Sequence, residues 1–450
     1  MQANSKANAH SARAGFLNTF VAPRAKRWLI NALVPINRVL CLGGIPGLRR
    51  LPFLGRVPGI RGLADVVRID LPQADRARLL GSVNGDTAAF IVPNHPEFFT
   101  DWMLDKELCT RTGPLPATWA THTVVNGMGR MMQRFWLANN LIAQIPGSGG
   151  APGKEYSVRW AAQGHAVLLH PEGQVGWHSD YVGPLFPGVV EMALATVQQL
   201  HDQNVRRDVF IAPVVWKLKF ERDEGARLVR EMSYLEARLG LRVDERFGLD
   251  ERVHQAYATL LQRDATKWSV SISLSEPYWT AQTRLLHALA LQLHARAAAL
   301  GGQAAPIEAQ RQPEAETAAY REQLGHIDRF LRDLDGDGST REEARVLREL
   351  IVDMRRILRV RPEMYPHATI TQEQIAENIK RLRNDYCYGS PRDTLNRFVP
   401  RPAGSRIAHI RVPQPVNVTE LLRTAPAVSA VEDELGTELR ARMQQALNVI

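Results

Sequence analysis

The chain predicts an α/β fold, and three observations lead there. Short apolar runs end at Pro or Asn, as buried strands do: 88–92 before Pro93-Asn94, 166–169 before Pro171, and 209–215 around Pro213. Segments of helical pattern, 98–108 and 189–200, alternate with these runs. The 450 residues with 45% hydrophobic content suffice for one large domain with appendages, or for two to three smaller ones.

The elements follow in order. Residues 1–65 form a basic, amphipathic segment. Within it, 28–48 is the most apolar stretch, but Asn31, Pro35, Asn37 and Arg38 interrupt it, which excludes a membrane span of ~20 predominantly apolar residues. An interfacial helix fits better, with Trp28, Leu29, Leu33, Ile36 and Leu40 as its apolar face. Arg24, Lys26 and Arg27 precede it, and Arg49, Arg50, Arg56 and Arg61 follow. The Gly/Pro-rich 43–62 reads as loop or interfacial structure. A globular domain is expected over 66–280, with a fourth strand at 268–274. A mostly helical extension, 281–450, comprises a helix at 284–300, a linker at 301–316, helices at 318–331 and 341–358, a returning strand near 406–412 and a helix from Thr419.

Composition narrows the function classes. The net charge of +9 and pI near 9.7 suit anionic partners: nucleic acid, anionic lipid, or phosphorylated and CoA-linked substrates. Basic runs at 354–361 and 380–383 read first as solvated helix faces and, with a lipid substrate, as contacts to anionic headgroups; no nucleic-acid-binding module accompanies them, which makes nucleic acid the weaker alternative. Cys41, Cys109 and Cys387 lie far apart, which argues against a disulfide framework and a Cys-x-x-Cys metal site. The first residues lack the apolar core of a secretory signal.

The chemistry concentrates in two segments, Asn94-His95-Pro96-Glu97-Phe98-Phe99-Thr100-Asp101 and His170-Pro171-Glu172-Gly173. Acyl transfer to an alcohol needs a base for the hydroxyl proton, a partner that holds the base in one tautomer, and donors for the oxyanion. A histidine after a strand suits the first role and a nearby aspartate the second, as in a hydrolase triad whose serine is replaced by the substrate hydroxyl. Alone, the His95–Asp101 spacing is near the chance level for a chain with 13 His; its force comes from the ordered set that follows.

That set resembles the lysophosphatidate/glycerol-phosphate acyltransferase family over roughly 66–277. His170-Pro171-Glu172-Gly173-Gln174 stands where the family has Phe-Pro-Glu-Gly-Thr. Phe186-Pro187-Gly188 leads into the next helix, and Ile211-Ala212-Pro213-Val214-Val215 matches the last core motif. Either 270–277 or 411–416 is similar to the closing strand. The resemblance implies a mixed central sheet flanked by helices, with His95 as base and Asp101 as its partner. It places Glu172, Gly173 and Pro171 at the acceptor. It implies an acyl-CoA or acyl-carrier-protein co-substrate, no metal or redox cofactor, and peripheral attachment to the cytoplasmic face of a membrane in phospholipid biosynthesis.

Two departures stand out. Five residues, not the family's four, separate His95 from Asp101, so either the turn before the helix or a π-bulge within it must absorb one; Glu97 is the fallback carboxylate. Residues 141–150 lack the family's arginine near the substrate phosphate, leaving Lys154, Arg159 or Lys217 as candidate cations. A different lipid or metabolite alcohol is therefore the alternative acceptor. Another alternative is a catalytically silent, calcium-responsive membrane-binding protein. Asp333, Asp335 and Asp337 with Gly338 begin like an EF-hand loop, but Ala344 occupies the twelfth position where a bidentate Glu belongs. An Asp/Gly-rich turn between helices is the plainer reading. Residues 148–155 lack the first glycine and the Ser/Thr of a P-loop, which excludes that nucleotide site.

Overall fold

The structure, a computed structural model, describes residues 19–45, 47–48, 51, 58–145, 150–242, 246–273, 275–302, 313–334, 338–365, 369–399, 402–424 and 428–450. It divides into two compact units, 1–224 with 394–450, and 225–393.

The first unit begins with α1 (Arg27–Ile36), which runs into a π-helical turn (Asn37–Gly43). Pro35 lacks an N–H and disturbs the regular ladder there. Buried Asn37 anchors this turn by donating its side-chain amide to the Met103 carbonyl at 2.8 Å. There follow α2 (Pro58–Arg61), β1 (Val66–Asp70), α3 (Gln73–Ser82), β2 (Ala88–Pro93), α4 (Thr100–Cys109) and β3 (Pro116–Thr121). Then come α5 (His122–Val125), α6 (Gly129–Ala138), β4 (Leu141–Gln144), α7 (Ala151–Ala162), β5 (Ala166–Leu168), α8 (Gly188–Asp202) and β6 (Val209–Phe220). The second unit holds α9 (Gly225–Leu239), α10 (Leu249–Lys267), α11 (Tyr278–Ala299), α12 (Pro313–Asp333), α13 (Gly338–Ile357) and α14 (Gln372–Tyr386). After α15 (Pro391–Phe398), which spans the boundary, β7 (Arg406–Arg411), β8 (Val416–Asn417), α16 (Val418–Thr424) and α17 (Val428–Asn448) complete the first unit.

The described strands make one mixed sheet in the order β1-β7-β6-β2-β5-β3-β4, with β8 also on β6. β2 is parallel to both β5 and β6, whereas β7 and β8 run antiparallel to β6. Every residue of β2 is buried, and its two faces serve two cores. Ala89 and Ile91 pack with Leu79, Met103, Leu104 and Trp216. Ala88, Phe90 and Val92 pack with Val189, Ala193, Ile211 and Leu439. That period-two division is what a strand covered on both sides requires. Truncating Phe90 or Ile91 to Ala would cost about 3 kcal/mol.

The sheet corrects the expected fourth strand. Residues 268–273 are not a strand, and Leu274 lies outside the described residues. Instead α10 ends there in a left-handed cap: Ser269 has φ 55°, and the Val270 N–H donates to the Ala265 carbonyl at 2.8 Å. The Trp268 indole N–H is held by Asp353 at 2.9 Å. The returning strand expected near 406–412 is β7, antiparallel along β6 from Val215↔Arg411 to Phe220↔Arg406, whereas 412–415 within the candidate 411–416 is not strand. Pro413 and Pro415, which have no N–H to donate, separate β7 from β8. The compact units therefore divide at 224/225 and 393/394 rather than near 280, and the tail of the expected extension belongs to the sheet. Of the expected linker, 303–312 lies outside the described residues and 313–316 already belongs to α12.

In the second unit, Leu285, Leu289 and Leu293 of α11 pack with Tyr320 and Leu324 of α12 and with Leu347, Ile351 and Met354 of α13. Ala344, at the twelfth position of the EF-hand-like stretch, is buried in this core and has no ligand to offer a cation. Asp335 and Asp337 lie outside the described residues, as does the side chain of Asp333.

Candidate active site at two adjacent strand ends

β2 and β5 are neighbours in parallel register, Ile91 opposite Leu168. The chain therefore leaves both carboxyl ends at one place, where α/β folds commonly place ligands. The first exit carries His95 and the second His170. Their rings stack with centroids 4.0 Å apart and planes inclined by 13°. Asp101 and Asp105 are four residues apart on α4, hence on one face of it. Asp101 Oδ2 touches His95 Nδ1, and Asp105 Oδ2 lies 3.0 Å from His170 Nε2. The His95–Asp101 approach is an ion-pair contact without aligned hydrogen-bond geometry, and the Asp105–His170 contact is of the same kind.

The additional residue between His95 and Asp101 is absorbed before the helix, with no π-bulge in α4. Phe99 adopts φ 70°, ψ −45°, and α4 starts at the next residue. A positive φ is uncommon for a bulky residue; here Phe99 also packs against the core that holds Met103 and Leu104. Asp101 is thereby the carboxylate that reaches His95. Glu97 points elsewhere, into an ion pair of 2.8 Å with Arg406 of β7.

The surrounding turns are fixed by buried side chains. Asn94 clamps β6, donating to the Trp216 carbonyl at 3.1 Å and accepting from the Trp216 N–H at 2.9 Å. Glu172, also buried, accepts from the His95 N–H at 2.8 Å and from the Gly183 N–H at 2.7 Å. The Gly176 N–H reaches the His95 carbonyl at 2.8 Å. Gly173 has φ 68°, a left-handed conformation that favours glycine, and a Cβ there would press on the exposed Phe186 ring. The Pro171 carbonyl accepts from the Phe186 N–H at 2.8 Å.

The structure thus gathers His95, Asp101, Pro171, Glu172 and Gly173. It does not bring the candidate cations to His95 by any contact: Lys154 pairs with Glu191, Lys217 with Asp180, and Arg159 is exposed on α7. Asp105, Arg406 and the role of His170 escaped the sequence reading. The signals for the first and last were local: a histidine where the resembled family carries phenylalanine, and an aspartate one helical turn beyond Asp101.

Electrostatics separates the two histidines. His170 has a side chain 13% exposed. Burial pulls its titration down, but Asp105, Asp101 and the Asn94 carbonyl together outweigh that and push it up to about 9. At neutral pH His170 is an imidazolium, its Nδ1 3.0 Å from the Asn94 carbonyl oxygen. Burial raises the Asp105 carboxyl, and the His170 charge opposes that rise. Burial also pushes the Cys109 and Cys41 thiols up and the Lys106 ammonium down, which argues against thiolate chemistry here.

One ligand atom from each of His95, Asp101 and His170 lies within 4.8 Å of the others. Within the trio, His170 has its Nδ1 3.0 Å from the Asn94 carbonyl oxygen and its Nε2 in ion-pair contact with Asp105.

Beside α4 lies a cavity of about 400 Å³, bordered by Ile30, Val34 and Pro35 of α1 and by Trp102, Asp105 and Lys106. On α1 the outward apolar residues are Trp28, 67% exposed, and Ile36, 47% exposed, with Leu40 of the π-turn 51% exposed. Leu29 and Leu33 are half-buried. Among the described residues no helix is long and apolar enough to cross a membrane. Comparison with protein-family models finds no match for the chain, and comparison with curated proteins finds none either.

Proposed function

We propose that the chain is an O-acyltransferase, moving a fatty acyl group from a CoA or carrier-protein thioester to the hydroxyl of a glycerolipid-type acceptor. The observation that carries this is the His95–Asp101 contact at the end of β2, braced by Asn94 and Glu172. Asp101 beside Nδ1 favours the tautomer with its proton on Nδ1, leaving Nε2 as the base. Nε2 removes the hydroxyl proton as the acceptor oxygen bonds to the thioester carbonyl carbon. The tetrahedral intermediate collapses with rupture of the C–S bond, and His95 returns the proton to the thiolate sulfur. The cavity beside α4 is of a size suited to part of a small ligand and is proposed for the acyl chain.

Purified protein with labelled acyl-CoA and a panel of alcohols tests the reading. Transfer is expected, and His95→Ala should abolish it; transfer that survives His95→Ala would sink the reading. A second reading keeps the chemistry and changes the acceptor to one without phosphate. It is favoured by the commitment of Lys154 and Lys217 to carboxylates. Strong turnover of lysophosphatidate or glycerol 3-phosphate would remove it.

We further propose peripheral attachment of α1 to an anionic lipid surface through Trp28, Ile36 and Leu40. Trp28→Glu should then weaken co-sedimentation with anionic vesicles several-fold, and unchanged binding would refute the attachment.

A further inference from the structure

The site holds two His–Asp pairs side by side, and only one of them belongs to the reaction proposed above. We propose that His170 is a positioning residue: an imidazolium locked by Asp105 and the Asn94 carbonyl, serving as a charged platform on which the His95 ring lies and keeping His95 from holding a proton. The inference rests on the acyltransferase reading for its meaning in catalysis, but its physical content is independent of that reading.

The geometry leads there in steps. The ring planes are nearly parallel at 4.0 Å, so neither histidine hydrogen-bonds the other, and no proton can pass directly between them. Both nitrogens of His170 lie beside acceptors, Nδ1 3.0 Å from the Asn94 carbonyl and Nε2 3.0 Å from Asp105, the latter an ion pair without aligned hydrogen-bond geometry. Its influence must run through His95. A like charge at this separation disfavours a second one. When His95 takes the acceptor's proton, the resulting pair of stacked cations favours release of that proton to the departing thiolate. The upward displacement of the His170 titration by its acidic neighbours agrees with a permanent charge.

Other charged groups facing the pair are already matched. Asp101 and Asp105 come from α4, Glu97 is neutralised by Arg406 of β7, and Glu172, after β5, is bound to two backbone N–H groups. Lys106 and Cys109 on α4 lie near Asp105. His178, in the loop after Glu172, is buried and stacks on Tyr181.

The test reads imidazole ¹⁵N shifts in histidine-labelled protein, alongside the pH profile of acyl transfer. In the wild type at pH 7.5, His170 is expected to be doubly protonated and His95 singly; a neutral His170 overturns the proposal without any variant. In His170→Phe/Asp105→Asn, which keeps a stacked ring and removes both charges, the His95 imidazole should hold its proton to higher pH than in the wild type, less the opposing effect of losing the Asp105 carboxylate. The acid limb of kcat/KM should move with it. Asp105→Asn alone keeps the imidazole ring and carries the same prediction should the double variant fail to fold. Unchanged titration and an unchanged acid limb would reduce His170 to a packing residue, even with acyl transfer intact. Loss of the acyltransferase reading would instead show as absent transfer in the wild type, with the His95 shift in the variants preserved.

Discussion

His95 and His170 leave the ends of β2 and β5, and each meets an aspartate from the same face of α4. They differ in what remains of each ring. His95 commits Nδ1 to Asp101, whereas His170 commits both nitrogens. On the proposed reading, the first pair exchanges a proton with a substrate and the second holds one. A His–Asp contact is therefore not enough to identify a base. What matters is whether a nitrogen is left over, and that depends on which backbone carbonyls lie opposite the ring.

Four changes would break or sharpen this contrast. The largest effect is expected at the first pair: His95→Ala or Asp101→Asn should lower kcat/KM by roughly 10²–10⁴, with an unchanged far-UV spectrum. A fall below tenfold would leave the two pairs equivalent. Glu172→Ala comes next. It strips the acceptor from two N–H groups and should cost about 2–4 kcal/mol in urea unfolding, with a loss of activity, because the turn bearing His95 loosens.

The second pair should show itself in stability against pH. The His170 titration is raised in the folded state from the ordinary 6.5 to about 9. Its contribution is then fully present below 6.5 and is lost as the pH rises through 9, amounting at most to about 3 kcal/mol. Urea midpoints at pH 6.5, 8 and 10 measure it, and the slope should vanish in His170→Phe/Asp105→Asn. The smallest effect is expected from Arg406→Met, which leaves Glu97 without its partner. A cost of about 1–2 kcal/mol and a modest fall in activity should follow, because Glu97, with a side chain 17% exposed, can recover some hydration.

Much of the first unit was legible along the chain. The runs at 88–92, 166–169 and 209–215 became β2, β5 and β6, because a strand covered on both faces must be apolar throughout. β1, β3 and β4 went unrecognised, being short and partly polar: β3 reads Pro-Ala-Thr-Trp-Ala-Thr with only Ala117 buried. The turn at 268–273 looked like a strand for the opposite reason. Its apolar residues pack on α11 and α13, but its backbone caps a helix.

The sequence by itself determined the α/β class and the strand-end placement of His95. Both follow from local rules of pattern and turn. Only the tertiary structure decided that β7, almost two hundred residues beyond β6 along the chain, lies between β6 and β1. It also decided that Arg406 withdraws Glu97 and so leaves Asp101 to His95, and that His170 and Asp105 form a pair. These are contacts between segments distant along the chain. They depend on which strands become neighbours, and a pairing of that kind leaves no periodicity in either segment alone.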